Sequence, residues 1–137
     1  MAIEDAAVLG NLFSRISHPS QIAPLLHAYE KLRLPRTAST QASSRLNQHI
    51  FHLPDGPEQE ARDADMRAAM EKELAMLRGE NVDLTLEGNS NQWADRKKNM
   101  MQFGYDADAE ADKYWVEEGE REIGSLAQQA HLANGRL

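Results

Sequence analysis

Acidic residues alternate along residues 106–117, in a pattern close to that of a calcium-binding loop. Carboxylates occupy every second position from Asp106 to Asp112, and Glu117 stands at the twelfth position. Such a loop needs glycine at its sixth position for a sharp turn, and this chain has Ala111 there. The alternative is that Asp106 caps a helix whose positive end favours acidic residues. We predict the capped helix and no metal site.

Histidine and serine side chains offer two further candidates for chemistry. His49 and His52 are spaced for one face of a helix, but zinc would need a third ligand at a matching place. Ser43 and Ser44 lie near His49 without the strand-to-helix turn that exposes a nucleophilic serine. The chain has no cysteine and no glycine-rich phosphate loop. The sequence therefore predicts no catalytic residues.

Asp5, Arg33 and Arg36 form the remaining charged group. Asp5 lies among apolar neighbours in a predicted helix over residues 2–16, whereas Arg33 and Arg36 continue the apolar stripe of the next helix. Antiparallel helices joined by a short turn would bring the start of the first close to the end of the second. Because a buried carboxylate needs a partner, we predict a structural ion pair of Asp5 with Arg33 or Arg36.

The elements that would position these residues are helices. On helical periodicity, only a narrow face of the first helix, with Glu4, Asn11 and Arg15, is polar, so the helix should be buried on most sides. Pro35 should kink or break the second helix, and Gly79 should cap the fourth. The predicted helices cover residues 2–16, 20–34, 36–52, 57–79, about 93–101 and about 107–130.

The apolar side chains of the helix over residues 57–79 form one stripe. Met66, Met70 and Met76 on this helix could line a binding groove, but packing is the better explanation. The stripe consists of Met66, Met70, Leu74 and Leu77. Residues 82–86, with the sequence VDLTL, are the single weak strand candidate. The sequence thus predicts a mainly α protein with at most one short strand.

Composition narrows the partners. The 137 residues carry a net charge of −7, which disfavours nucleic acid and anionic membrane surfaces. No apolar run is long enough to span a bilayer, and the N-terminus lacks the pattern of a signal peptide. We therefore expect a cytoplasmic or other intracellular protein that is not secreted. Hydrophobic residues make up 41% of the chain, so its core should be thin.

Three stretches of the chain resemble the C-terminal region of FAD-dependent aromatic hydroxylases of the fungal salicylate-hydroxylase-like group. They are MAIEDAAVLGNLF, the segment from LLHAYEKLRLPR to HLPDGP, and NQWADRKKNMMQFGYDADAEADKYW, which together reach about residue 116. The resemblance implies a flavoprotein monooxygenase that binds FAD in a Rossmann-type domain. It also implies NAD(P)H as co-substrate and insertion of one oxygen atom of O₂ into an aromatic acid such as salicylate.

The same resemblance assigns places within such an enzyme. Met1 and Ala2 map to the helix start nearest the flavin, as the edge of its site. Residues 1–52 map to the C-terminal helices of the FAD-binding domain and residues 53–137 to a helical C-terminal extension. We then expect a thin, partly open helical packing that forms part of an FAD/NAD(P)-binding α/β fold.

The chain lacks the dinucleotide fingerprint and the Gly-Asp motif of that family. We therefore expect a fragment whose partner is the missing N-terminal FAD-binding domain, and which is inactive alone. One alternative is an autonomous helical protein that associates with itself through the apolar first helix. Another is a protein that retains some FAD binding.

Overall fold

The computed structural model describes residues 1–82, 93 and 95–127. The regular structure of this part of the chain is helical, and no strand occurs in it, which confirms the mainly α prediction. The strand candidate at residues 82–86 lies, after its first residue, outside the described residues. The elements are α1 (Ala2–Phe13), a 3₁₀ turn (Pro19–Gln21), α2 (Ile22–Phe51), α3 (Pro57–Leu77), α4 (Arg96–Phe103), α5 (Ala107–Tyr114) and a π-helical segment (Trp115–Gly124).

The chain divides into two compact units. The first consists of Met1–Ser39 together with Asp106–Leu137, and the second of Thr40–Tyr105. The predicted division at residue 52 concerns a longer enzyme and stays a prediction. None of the described helices combines the length and the apolar character needed to cross a membrane.

Helix α1, in the first unit, buries a different face from the one predicted. Val8 and Leu12 are fully buried, whereas Ile3 is 87% exposed. Residues four and seven apart share a face of a helix, so Glu4 and Asn11 lie on the same side as these two buried residues. Arg15 lies beyond the end of α1, which stops at Phe13 and not at residue 16 as predicted. Within this chain α1 is therefore buried along one mixed polar and apolar face and not on most sides, and its burial in a longer enzyme stays a prediction.

Helix α2 runs without interruption from Ile22 to Phe51, with Pro35 inside it. The prediction that Pro35 separates two helices is therefore wrong. Proline lacks the N–H that would bond to the carbonyl four residues earlier, at a typical cost of about 3 kcal/mol. The Thr37 hydroxyl lies 3.0 Å from the carbonyl oxygens of both Arg33 and Leu34 and shares its single proton between them, which adds a side-chain hydrogen bond to the turn that contains the proline.

The C-terminal part of the first unit starts at a capped helix. Asp106 Oδ1 accepts a hydrogen bond from the Ala109 N–H at 2.9 Å, which confirms the predicted N-cap of α5. Helix α5 packs against α1. It continues directly into the π-helical segment Trp115–Gly124, where an unbroken α-helix was predicted. The predicted end near residue 130 lies outside the described residues.

Helix α3, in the second unit, has the predicted ends. Pro57 occupies its first turn. At the other end Gly79 has a φ of +79°. The Gly79 N–H donates to the Met76 carbonyl at 2.9 Å and the Glu80 N–H to the Ala75 carbonyl at 3.1 Å, which is a Schellman cap. The predicted C-cap at Gly79 is confirmed.

The predicted apolar stripe of α3 is not a core stripe. No residue of α3 is buried, and Met70 and Leu77 are 55% and 78% exposed.

Helix α4 begins three residues later than predicted, at Arg96, because the Asp95 side chain caps it by accepting from the Lys98 N–H at 3.0 Å. The weak apolar periodicity of the second unit thus leaves its helix ends better defined than its core.

Candidate functional site

Four charged side chains join the start of α1 to the middle of α2. Arg33 Nε lies 2.7 Å from Asp5 Oδ1, and Arg33 Nη1 lies 2.8 Å from Glu4 Oε2. The guanidinium of Arg36 contacts both oxygens of Glu4, with Nη2 at 3.1 Å and Nε at 3.2 Å. We call Glu4, Asp5, Arg33 and Arg36 the ion cluster. The structure thus brings together all three residues of the sequence-based ion-pair prediction and adds Glu4.

The ion cluster is built around a buried cation. The Arg33 side chain is 2% exposed, whereas those of Glu4 and Asp5 are about one quarter exposed. A buried guanidinium is tolerated only with close opposite charge, and two carboxylates supply it here. The hydrogen bonds from Arg36, and then those from Arg33, lower the pKa of Glu4, while partial burial opposes them. Glu4 is therefore held in its charged form.

Spacing along each helix explains why these four side chains meet. Glu4 and Asp5 are neighbours in the first turn of α1, and Arg33 and Arg36 are three residues apart, on one face of α2. Because helical periodicity places Glu4 on the polar face of α1, its place in the ion cluster was not predicted. A count of charges could have indicated it, because two arginines on a buried stripe need two carboxylates and Asp5 is only one.

Met1 and Ala2, predicted at the edge of a flavin site, lie at the start of α1. Met1 occupies the N-cap position, makes no side-chain capping bond and is 40% exposed. An uncapped helix start presents backbone N–H groups to a negatively charged ligand. Acidic residues in the first turn would normally oppose such a ligand, but Arg33 and Arg36 neutralise them. The residues present are therefore compatible with the edge of an anionic cofactor site.

A second polar contact joins α1 to α5. Asp112 Oδ1 accepts from Asn11 Nδ2 at 2.9 Å and forms an ion pair with Arg15. The Arg15 guanidinium also lies 5.3 Å from the ring centroid of Trp115, within range of a cation–π contact. Asn11 and Arg15 lower the pKa of Asp112. Asn11 of α1 and Arg15, two residues after its end, therefore attach α5.

Gln21, at the start of the helix predicted over residues 20–34, is a fully buried polar residue. Its Oε1 accepts from the backbone N–H groups of Ser17 at 2.8 Å and His18 at 3.0 Å. Its Nε2 donates to the Ile123 carbonyl oxygen at 3.0 Å. One amide side chain thus ties the turn between α1 and α2 to the π-helical segment. Its position after a proline in a helix-start sequence was the only signal of this role.

Lys31 provides a further link from α2 to the same segment. It forms an ion pair with Glu118, and its ammonium lies 5.4 Å from the ring centroid of Tyr114. The hydrogen bond to Glu118 raises the pKa of Lys31, and burial raises the pKa of Tyr114. These contacts hold α5 and the π-helical segment against α2. None of the groups that make them is poised for proton transfer.

Two of the acidic residues considered for calcium, Asp106 and Asp112, have other partners. Asp106 caps α5, and Asp112 binds Asn11 and Arg15. His49 and His52 are exposed near the end of α2. Within residues 1–82, 93 and 95–127, no three histidine, aspartate or glutamate side chains are grouped to hold a metal ion.

Comparison with curated proteins identifies relatives of one kind. The chain is 34% identical over 111 residues to the FAD-dependent monooxygenase OpS4 of Beauveria bassiana (strain ARSEF 2860), a match of 81% of this chain and 23% of that protein. It is 47% identical over 68 residues, half of this chain and 17% of the relative, to 3-amino-4-hydroxybenzoate 2-monooxygenase PtmB3 of Streptomyces platensis. These matches confirm the resemblance to FAD-dependent aromatic hydroxylases.

A third relative is 6-methylsalicylate 1-monooxygenase atA of Aspergillus terreus (strain NIH 2624 / FGSC A1156). It is 44% identical over 54 residues, which are 39% of this chain and 12% of that protein. No family model matches the chain. The chain matches less than a quarter of the length of each of these relatives. The activity of a complete relative therefore depends on a sequence far longer than this chain.

Proposed function

Because the chain is related in sequence to FAD-dependent aromatic monooxygenases, we propose that it is a helical part of such an enzyme. The enzyme would use NAD(P)H and O₂ to hydroxylate an aromatic acid such as salicylate. The observation that carries this proposal is the 34% identity to a named FAD-dependent monooxygenase over 81% of the chain. The names of two further relatives, a 3-amino-4-hydroxybenzoate monooxygenase and a 6-methylsalicylate monooxygenase, point to a substituted hydroxybenzoic acid as substrate.

Within that enzyme, α1 would present its first turn to the flavin. Bound FAD would supply the redox chemistry that activates O₂. The backbone N–H groups at Met1 and Ala2 would face negative charge at the edge of the cofactor, as helix starts do. The ion cluster supports this role in two ways: it fixes the start of α1 against α2, and it neutralises Glu4 and Asp5.

The chain alone should not catalyse hydroxylation. Its sequence contains neither the dinucleotide fingerprint nor the Gly-Asp motif through which the family would bind FAD. One helix start offers few of the contacts that a dinucleotide needs. We therefore propose that FAD binding and substrate contacts depend on an N-terminal FAD-binding domain.

The test compares the 137-residue chain with a longer protein in which the upstream coding sequence is fused in frame. Each is assayed for bound flavin by absorbance, and for NADH and NADPH oxidation with 3-amino-4-hydroxybenzoate and 6-methylsalicylate. We expect the longer protein to hold FAD and to hydroxylate one such acid, and the chain alone to do neither. Flavin-free, inactive longer protein would contradict the proposal, as would a catalytically active chain.

Self-association through α1 is the second candidate function. Ile3 is 87% exposed, and its α1 neighbours Ala6 and Gly10 are exposed as well. An apolar helix face of this kind is a potential contact surface for a second copy. Light scattering on the chain and on an Ile3→Glu variant distinguishes a self-associating protein from a monomer. A defined dimer that Ile3→Glu converts to monomer supports self-association, and a monomeric parent chain excludes it.

A further inference from the structure

The π-helical segment Trp115–Gly124 is long for its kind. It has ten residues, whereas π-helical geometry is usually confined to a single turn inserted in an α-helix, frequently at a functional site. It is continuous with α-helical residues on both sides, with α5 before it and residues 125–127 after it. A change between the two hydrogen-bonding registers would therefore not require either flank to unfold.

The pattern of burial shows what the π-helical register achieves. The buried residues along this part of the helix are Ala111, Tyr114, Gly119 and Ile123. Successive buried residues are three or four positions apart, except for the step of five from Tyr114 to Gly119. Residues three or four positions apart lie on the same face of an α-helix. An unbroken α-helix would therefore place Glu118 and Glu122 on the buried face with Tyr114. The five-residue step keeps two carboxylates out of the buried face.

Gln21 and Lys31 each contact this segment in the observed register. Gln21, which is buried, donates from Nε2 to the Ile123 carbonyl oxygen at 3.0 Å. Lys31 forms an ion pair with Glu118. Glu122 lies near enough to Lys31 and Tyr114 for its charge to influence both. An α-helical register, which turns Glu122 further inward, would therefore still find a cation beside it.

We propose that Trp115–Gly124 is a two-register helix and that Gln21 selects its π-helical register by binding the Ile123 carbonyl. In this register Ile123 fills the buried face and Lys31 pairs with Glu118. In the alternative α-helical register, Glu118 takes the place of Gly119, while Glu122 takes the place of Ile123 and pairs with Lys31. The part of the helix after the segment rotates with the change, so the register determines which side chains it presents.

Gln21→Glu tests this proposal on the full chain. A glutamate at this position still accepts from the Ser17 and His18 N–H groups, but when ionised it has no proton to donate to Ile123. Scalar couplings across hydrogen bonds in NMR spectra identify the carbonyl partner of each amide in the segment. The unmodified protein should show partners five residues back at positions 120–124, and Gln21→Glu should show partners four residues back.

The amide exchange of residues 120–124 should also rise about tenfold in Gln21→Glu, as expected for loss of one buried hydrogen bond. Exchange in α5 should stay unchanged. Gln41→Glu, the same change at an exposed position of α2, is the control and should affect neither. Four-back pairing in the unmodified protein would overturn the proposal. So would five-back pairing that persists in Gln21→Glu, or loss of both patterns while α5 stays helical.

If Gln21→Glu does not fold, relaxation dispersion on the unmodified protein decides the question. The proposal predicts exchange between two states that is confined to residues around 115–124 and absent from α5. Flat dispersion profiles throughout the segment would overturn it.

Discussion

The Arg33 guanidinium is buried against the Asp5 carboxylate, with Nε 2.7 Å from Oδ1. This contact joins residues 28 positions apart in the sequence and holds the start of α1 against the middle of α2. Glu4 completes the arrangement by binding Arg33 and Arg36 together. The proposed role of α1 at a flavin depends on this contact, because it fixes both the position and the charge of the helix start.

Replacing Arg33 should destabilise the protein. Arg33→Met leaves Glu4 and Asp5 without their buried cation and should lower the free energy of unfolding by about 2 to 3 kcal/mol, somewhat less than a fully buried pair because both carboxylates reach water. Urea denaturation measures the effect. Arg45→Met, at an exposed position of the same helix, is the control. Equal stabilities of the two variants would show that the cluster contributes nothing specific.

The ion cluster should also make stability depend on pH. Arg36 and Arg33 lower the pKa of Glu4 from its ordinary 4.5, so Glu4 binds a proton more readily in the unfolded chain. Its contribution is therefore present above pH 4.5 and is lost as the pH falls through the lower folded-state pKa. The stability difference between the parent and Glu4→Gln should shrink over that range.

Denaturation midpoints measured at a series of pH values check the Glu4 prediction. Glu60→Gln, which removes an exposed carboxylate from α3, serves as the control and should parallel the parent protein. A stability difference between parent and Glu4→Gln that is constant across acidic pH would rule out the proposed linkage.

Gly119 should not tolerate a side chain. A Cβ there would lie 2.8 Å from Trp115 Cε3 and 3.3 Å from Tyr114 Cε1, and Arg15 stacks on the same tryptophan. Gly119→Ala should destabilise the protein by about 1 to 3 kcal/mol, the usual range for overpacking. In α1, by contrast, a Cβ at Gly10 would meet nothing within 4 Å. Gly10→Ala should therefore stabilise by about 0.5 to 1 kcal/mol through helix propensity.

Thermal unfolding of Gly119→Ala and Gly10→Ala gives the two signs directly. The same sign for both variants would contradict the packing described around Trp115, because the two substitutions differ in the space available to the new methyl group.

Gly79 should be required for the end of α3. Its φ of +79° is readily adopted by glycine, whereas a Cβ in left-handed backbone costs about 1 to 2 kcal/mol. Gly79→Ala should therefore destabilise α3, and Gly79→Asn should do so less because asparagine tolerates this conformation better. Amide exchange at Gly79 and Glu80, whose N–H groups close the cap, reports the local effect. Unchanged protection in Gly79→Ala would refute it.

Local signals predicted the caps at Asp106 and Gly79 but not the continuity of α2. Asp106 and Gly79 act through neighbouring backbone, so their sequence context identified both caps. The same kind of rule predicted a kink or a break at Pro35, and α2 passes through it without a break.

Long-range contacts account for the remaining differences in the candidate site. The charge pattern indicated Asp5 with Arg33 or Arg36, but the bridging role of Glu4 depends on how α1 is rotated about its axis. That rotation is set by Val8, Leu12 and the polar contacts to Asp112. A period of 3.6 residues likewise cannot anticipate the five-residue step at Gly119. Both features follow from the packing of distant segments on each other.

The flavin content of the native protein tests the central claim most directly. The protein carrying this sequence would be recovered from its source with an antibody against the chain, and its polypeptide size and bound flavin determined. We expect a polypeptide far larger than 15.4 kDa, or a complex containing one, with FAD in stoichiometric amount. Recovery of a flavin-free protein of 15.4 kDa that associates with no flavoprotein would contradict the account.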